Sequence, residues 1–409
     1  MVEIIFLEDN PLVLACLGVK ISQTPLKIPI ETLYEECKKD MEGARKLIQK
    51  IIQKYRHRIV AEFLPYAIIF EKIPRFETLF IWRVVSSPNL MVGAGLEASF
   101  RVVEPDRYKE IVGDLGEMAF SAYETAVKLG VPAQDARYML PEATLTRMIF
   151  TAPPRYLMKL ANYLKETPLP ELKEIGEKIE NLIREKFNLE ISEEKPPSKW
   201  EFWGEKRIRE GIFLDYSGEI PSLSLNMGIK GSLAMLAQVA RERQSLVEIE
   251  PLEQIAKRGS FVVPSSFPEE VIKDYQKIAK EAKRRQMELI EKKDPEFVYY
   301  LLMGQQAKAM IYGKGFGIIE ISRERSCGAA QWEIRNAVGI PLTRELMGFK
   351  ELEKEIGPRC WREQKCLEPA TFKTKIQNCR PFKLSIGKWQ GSLKELLDLL
   401  QEPQETFVV

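Results

Sequence analysis

The strongest constraint on how this chain can fold is an order of elements that occurs twice. Ser99-Phe100-Arg101-Val102-Val103 reads as a strand, and Pro105 then opens a long helix that Gly130 closes. About 160 residues further on, Ser260-Phe261-Val262-Val263-Pro264 reads as a strand of the same type, and after Ser266 and Pro268 a long helix runs to about Lys293. Other counterparts keep a similar offset, with Arg83 opposite Arg241 and Lys165 roughly opposite Arg325. A period this long is too large for a solenoid and reads as two copies of one domain. The stretch 191–203, ISEEKPPSKWEFW, combines charge, a Pro-Pro pair and the end of an amphipathic helix. The boundary is therefore expected near residue 198, with a first domain over 1–197 and a second over 198–409.

Between these landmarks, residues 2–7 read as a short apolar strand and Pro11 to Val19 as the start of a helix. From Glu31 to Arg56, Leu33, Cys37, Met41, Ala44, Leu47 and Ile51 fall at helical spacing, which predicts one amphipathic helix. Phe63 to Phe70 is a buried strand or helix, and Arg75 to Arg83 leads into a Ser-Ser-Pro-Asn and Gly-Ala-Gly loop. Alternating strands and long helices are compatible with an α+β protein.

Composition limits the function classes. With 409 residues, 45% of them hydrophobic, the chain can bury the cores of two domains. A net charge of +2 exerts no global pull on nucleic acid or an anionic membrane, so any anion site must be local. No apolar run approaches the roughly 20 residues that span a bilayer, and the N-terminus lacks the basic and then apolar order of a signal peptide. A cytoplasmic location is expected. His57 is the only histidine, which excludes a His-rich zinc site. Cys327, Cys360, Cys366 and Cys379 are the number for a tetrahedral structural zinc, although five and twelve intervening residues are not the compact two-residue knuckle, and ordinary reduced thiols are the alternative. Cys16 and Cys37 sit on apolar faces, as core residues do.

Local anion sites are suggested by three stretches. Residues 323–335, RERSCGAAQWEIR, hold three arginines, a small Gly-Ala-Ala platform, and a segment expected to continue as a helix. There Gln331 and Arg335 lie four apart, so an amide and a guanidinium share a face. Around Gln238, the run Arg241-Glu242-Arg243 places alternate arginines on one side of an extended segment, suited to phosphate oxygens. In the first half Ala136-Arg137 precedes Leu140-Pro141, and Arg155 precedes Leu157-Met158. For each, a solvated face or a surface salt bridge is the bland alternative.

Together these residues resemble the flavin-dependent thymidylate synthases. That family has an arginine-histidine-arginine motif with a glutamine upstream and a Ser-x-Arg segment downstream, an Ala-Arg-x-x-Leu-Pro segment, and an arginine followed by Ala-Gln-Trp-Glu-Ile. The second half matches through Gln238, Arg241, Glu242 and Arg243, and through Arg325 with Ala330, Gln331, Trp332, Glu333 and Ile334. The first half matches through Ser99-x-Arg101, Ala136-Arg137 with Leu140-Pro141, Leu157-Met158, and His57 with Glu62. Arg56-His57-Arg58 spells the family motif but stands about 27 residues too early, so the counterpart is read as Arg83-Val84-Val85.

The resemblance implies an α+β fold of two tandem domains, each a twisted sheet flanked by long helices. It implies methylation of dUMP to dTMP with bound FAD, and with methylenetetrahydrofolate and NADPH as co-substrates. The nucleotide would be held by Gln238, Arg325, Arg137 and Arg101 in a site composed from both copies, and the flavin by Arg241, Glu242, Arg243, His57 and Gln331. The expected assembly is a homo-oligomer, a dimer of tandem chains that mimics the family's tetramer, with a small-molecule nucleotide as partner and neither nucleic acid nor membrane. The alternative is a catalytically inactive relative that binds nucleotide or flavin, or acts as a scaffold. It is suggested by Glu242 and Val84, which stand where the family has histidine.

Overall fold

The structure is a computed structural model that describes residues 3–7, 10–51, 67–85, 94–98, 108–152, 154–187, 201–242, 245–363, 389 and 391–409. In chain order the first elements are β1 (Glu3–Leu7), α1 (Pro11–Gln23), α2 (Ile30–Lys39), α3 (Met41–Gln49), β2 (Ala67–Pro74), α4 (Arg75–Val85) and β3 (Ala94–Glu97). There follow α5 (Gly113–Lys128), the single turn α6 (Ala133–Ala136), β4 (Leu145–Thr151), α7 (Pro154–Lys165) and α8 (Pro170–Phe187). Next come β5 (Gly211–Asp215), β6 (Ser224–Ser232), α9 (Leu233–Val239), β7 (Ser245–Ile249), α10 (Leu252–Arg258), β8 (Ser260–Val263) and α11 (Glu269–Glu291). Last are β9 (Gln306–Lys314), α12 (Phe316–Arg325), α13 (Trp332–Ile334), α14 (Ile340–Leu346), a helix Leu393–Leu400 and β10 (Glu405–Val408). Helices with small antiparallel sheets make this an α+β protein. Among the described residues no helix is long and apolar enough to cross a membrane.

The chain divides into two compact units. Unit 1 comprises Met1–Phe202, Ser266–Met303 and Val409; unit 2 comprises Trp203–Ser265 and Gly304–Val408. Residues 188–200, most of the expected junction, lie outside the described residues.

Unit 1 is built on an antiparallel sheet of order β1-β2-β4-β3. β2 is buried along most of its length, as a central strand of apolar sequence AIIFEKIP requires. Its register with β4 shifts between Phe70 and Ile73, where Lys72 takes a φ of 53°. This irregularity delivers the chain directly into α4, whose first amide, at Arg75, donates to Thr144 O at 2.8 Å. Val13, Leu14, Leu17, Ile21, Leu33 and Cys37 of α1 and α2 join Ala67, Ile69 and Ile149 of the sheet in one core. α11 also belongs to this unit: Val271, Tyr275, Ile278, Ala282, Gln286 and Ile290 form its buried face.

Unit 2 has an antiparallel sheet of order β5-β6-β9-β7 and a two-stranded sheet of β8 and β10. Its four-stranded sheet thus has its strands in the same relative order as that of unit 1. In unit 2 the strand β6 leads directly into α9, as β2 leads into α4 in unit 1.

Several sequence expectations are corrected here. The single helix expected over residues 31–56 is two, α2 and α3, because Asp40 leaves helical geometry and its carboxylate accepts from Gly43 N at 2.7 Å, starting a new helix. Arg75 to Arg83 lies in the helix α4, and Ala94 and Gly95 of the expected Gly-Ala-Gly loop belong instead to β3. The helix ending at Gly130 begins at Gly113, preceded by a tight turn at Glu110–Val112. The strand expected at 99–103 lies outside the described residues, whereas β8 and α11 fall where the second occurrence of the order placed them.

Candidate functional site

In unit 1 the family-type segment Ala136-Arg137-x-x-Leu140-Pro141 runs from the end of α6 through a 3-10 turn. It buries Arg137, which is 5% exposed. Burial, then the positive charge of Arg75, push the Arg137 pKa down to about 10, while Asp135 and Glu97 hold it up. Arg75 is itself buried and ion-paired through Nη1 to Glu97 Oε1. Glu97 is fixed in turn by Trp82 Nε1, which donates to Oε2 at 2.9 Å, and by Thr78 Oγ1 at 3.3 Å from Oε1. The other edge of the Arg75 guanidinium, Nε with Nη2, is buried and makes no hydrogen bond among the described residues. Glu142 belongs to the same cluster. Its Oε2 is also buried without a hydrogen-bond partner among the described residues, and burial pushes its pKa up to about 7 against the pull of Arg75. Two desolvated guanidiniums sharing one set of carboxylates favour an added oxyanion, and the Nε–Nη2 edge has the geometry for a bidentate one.

In unit 2 the sequence motif residues meet differently. Arg325 ends α12, and both its Nε and its Nη2 bind Oε1 of Glu242. Burial works against the charge of Arg325, but Glu242 outweighs it and the Arg325 pKa rises. Burial pushes the Glu242 carboxyl up, with Arg325 opposing. Gln238, in α9, is half-buried, and its carbonyl accepts from Arg241 N at 3.3 Å. Arg241 lies in the turn ending that helix, and its Nε donates to Ala237 O at 3.0 Å. At Arg241 the expected extended run is therefore corrected to a helix end.

The Gln-Trp-Glu-Ile-Arg segment folds back on its own unit. Gln331 is the N-cap of α13, its amide oxygen accepting from Glu333 N and Ile334 N at 3.2 Å. Glu333 is buried and takes Ser232 N at 2.6 Å together with the Ser232 hydroxyl. Arg335 does not share an open face with Gln331. It is buried, with Nε on Leu400 O at 2.9 Å, Nη1 on Ala330 O at 2.9 Å and on Gly328 O at 3.3 Å, and Nη2 on Glu402. The Gly-Ala-Ala platform thus offers its carbonyls to Arg335. Gly339, further along, lets this segment lie against the end of α12: a Cβ there would be 2.1 Å from the Arg325 carbonyl carbon. Arg323 pairs with Glu320 and Glu355.

His57, Arg101, Arg243, Cys366 and Cys379 lie outside the described residues, and nothing describes the side chain of Arg155. Cys327 and Cys360 are half-buried cysteines outside any disulfide, and among the described residues no group of three metal-ligating side chains occurs. Of the residues expected at a flavin, Arg241, Glu242 and Gln331 are described. Glu242 is committed to Arg325 and Gln331 to its helix cap, so this described set does not fit a pyrophosphate, which needs converging donors and positive charge. The sequence reading missed Arg75, Glu97 and Glu142. No motif or periodicity links them, since Arg75 and Glu97 stand 22 residues apart.

No curated protein matches the chain. Residues 9–187, which contain Arg137 and its Leu140-Pro141 partner segment, match the family model of the thymidylate synthase complementing protein, Thy1.

Proposed function

We propose that the protein binds a uridine nucleotide through unit 1 and is a thymidylate synthase of the flavin-dependent type, methylating dUMP to dTMP with methylenetetrahydrofolate and a reduced nicotinamide. A thymidylate synthase-type function is supported at the level of the family. The observation that carries the nucleotide reading is the pairing of Arg137, within the matched region, with a second buried guanidinium at Arg75. Their like charges repel in a low-dielectric setting, and a phosphate between them relieves that repulsion. The same strand order in the two units supports descent from a tandem duplication.

A second reading, a catalytically inactive relative that keeps nucleotide binding, is favoured by the Glu242–Arg325 pair. The Arg325 edge that an oxyanion would take is filled by a carboxylate of the chain itself. Titration of the full chain with dUMP tests the first claim. Arg137→Lys keeps the charge but loses the fork, and is expected to weaken binding about 10- to 100-fold, on the scale of charge-assisted hydrogen bonds. Unchanged affinity in a folded Arg137→Lys protein, checked by circular dichroism, would remove Arg137 from the nucleotide site. Rescue of a thymidine auxotroph separates the two readings: growth supports the enzyme, and soluble dUMP-binding protein without growth supports the inactive relative.

Glu242→Gln gives an independent check on unit 2. Removing the carboxylate charge releases Arg325, so inorganic phosphate is expected to bind about 10-fold more tightly, measured by calorimetry at low salt. An unchanged phosphate affinity would show that Glu242 does not guard that edge.

A further inference from the structure

Cys16 and Cys37 face each other inside unit 1, on α1 and α2. Both are buried, at 2% and 1% exposure, and both are free thiols. Their sulfurs are 2.9 Å apart, with the Cys37 thiol donating to Cys16 Sγ. Lys20, one turn beyond Cys16 on α1, is ion-paired to Glu36, the neighbour of Cys37 on α2, so a polar contact ties the two helices beside the thiols. The Cys37 hydrogen bond is the main influence making the Cys16 thiol more acidic, opposed by burial and aided by Lys20; the same bond and burial make Cys37 less acidic.

We propose that Cys16 and Cys37 form an oxidative modification site, a dithiol that a small two-electron oxidant of the peroxide class converts into an intramolecular disulfide joining α1 to α2. The geometry assigns the order of events. The Cys16 thiolate attacks one oxygen of hydrogen peroxide, the O–O bond breaks, and Cys16 becomes a sulfenic acid while the other oxygen leaves as water after protonation. The Cys37 sulfur, already in contact, then attacks the Cys16 sulfur. The S–O bond breaks, the S–S bond forms, and the Cys37 proton leaves with the hydroxyl as a second water. Two thiols are oxidised and one peroxide is reduced. Burial restricts the site to oxidants of about the size of water, and the nearby second thiol stops Cys16 from advancing to sulfinic acid.

The test uses the full chain, first reduced and freed of reductant, then treated with hydrogen peroxide under native conditions and digested after blocking of free thiols. The expected product is a peptide pair linked between Cys16 and Cys37 and two hydrogens lighter than its reduced parts, absent from Cys37→Ser protein. A second measurement needs no variant: the oxidised wild-type protein should unfold about 5–10 °C higher than the reduced one, and dithiothreitol should reverse the difference. Recovery of both residues as blocked thiols after peroxide treatment, or linkage of Cys16 mainly to Cys327 or Cys360, overturns the proposal.

Discussion

Glu97→Ala is expected to destabilise unit 1 by roughly 3–5 kcal/mol, the range for removing one partner of a buried ion pair. The carboxylate serves three groups at once: Arg75 Nη1, Trp82 Nε1 and the Thr78 hydroxyl. Its loss strands a guanidinium that already has two nitrogens without hydrogen bonds among the described residues and that is 1% exposed. The double replacement Arg75→Met with Glu97→Leu removes both charges and should recover most of the lost stability, since a buried pair is often no better than well-packed apolar residues of similar volume. Urea unfolding of wild-type, single and double variants measures the difference. A Glu97→Ala protein within about 1 kcal/mol of wild type would mean that the cluster is far better hydrated than its burial implies.

The stability of unit 1 is also expected to fall as pH rises from about 4.5 to about 8, and to level off above that. The source is a second buried cluster. Glu77 of α4 accepts from the Tyr299 hydroxyl at 2.8 Å, and the same hydroxyl lies against Glu171 of α8. Lys109 pairs with Glu171 and sits 4.4 Å from the centre of the Tyr299 ring. Burial, then the charge of Glu171, push the Glu77 pKa up from 4.5 to about 8, and burial raises Glu142 to about 7. Both carboxyls bind their protons more tightly in the folded state than in the unfolded one. The stability they contribute is fully present below the unfolded value and is lost as pH rises through the folded values. For Glu77 the span corresponds to at most about 5 kcal/mol.

Glu77→Gln isolates the effect, because an amide keeps the hydrogen bond to Tyr299 but cannot ionise. This variant should be more stable than wild type at pH 8, and its stability should depend on pH less steeply. Unfolding midpoints collected between pH 5 and pH 9 decide the matter. A wild-type profile that is flat or rising over that window excludes a neutral, buried Glu77.

Contiguous residues were enough to read some parts of the molecule. The apolar residues of α11 repeat along one face, and Pro268 with Glu269 and Glu270 marks its start, so the helix was legible from Ser266 to about Lys293 and occurs at Glu269–Glu291. Ala136-Arg137 with Leu140-Pro141 lies within the stretch that matches the family. By contrast, the break between α2 and α3 turned on whether Asp40 would cap a helix or sit on its open face. Both are ordinary for an aspartate, and periodicity alone favoured the longer helix.

The sequence by itself thus determined the local elements with strong periodicity, the α+β character and the resemblance that the match over residues 9–187 supports. Only the tertiary structure decided the partners of the charged groups. Glu242 stands, in sequence, where the family has histidine; in the fold it fills the guanidinium of Arg325, 83 residues away. Tyr299 meets Glu77 across 222 residues, and Arg335 turns from an expected ligand face to the carbonyls around it. Helical and strand periods are set by the backbone within a few residues. A buried charge instead takes whichever partner the packed chain brings into contact, and the cost of leaving it without one makes that choice specific.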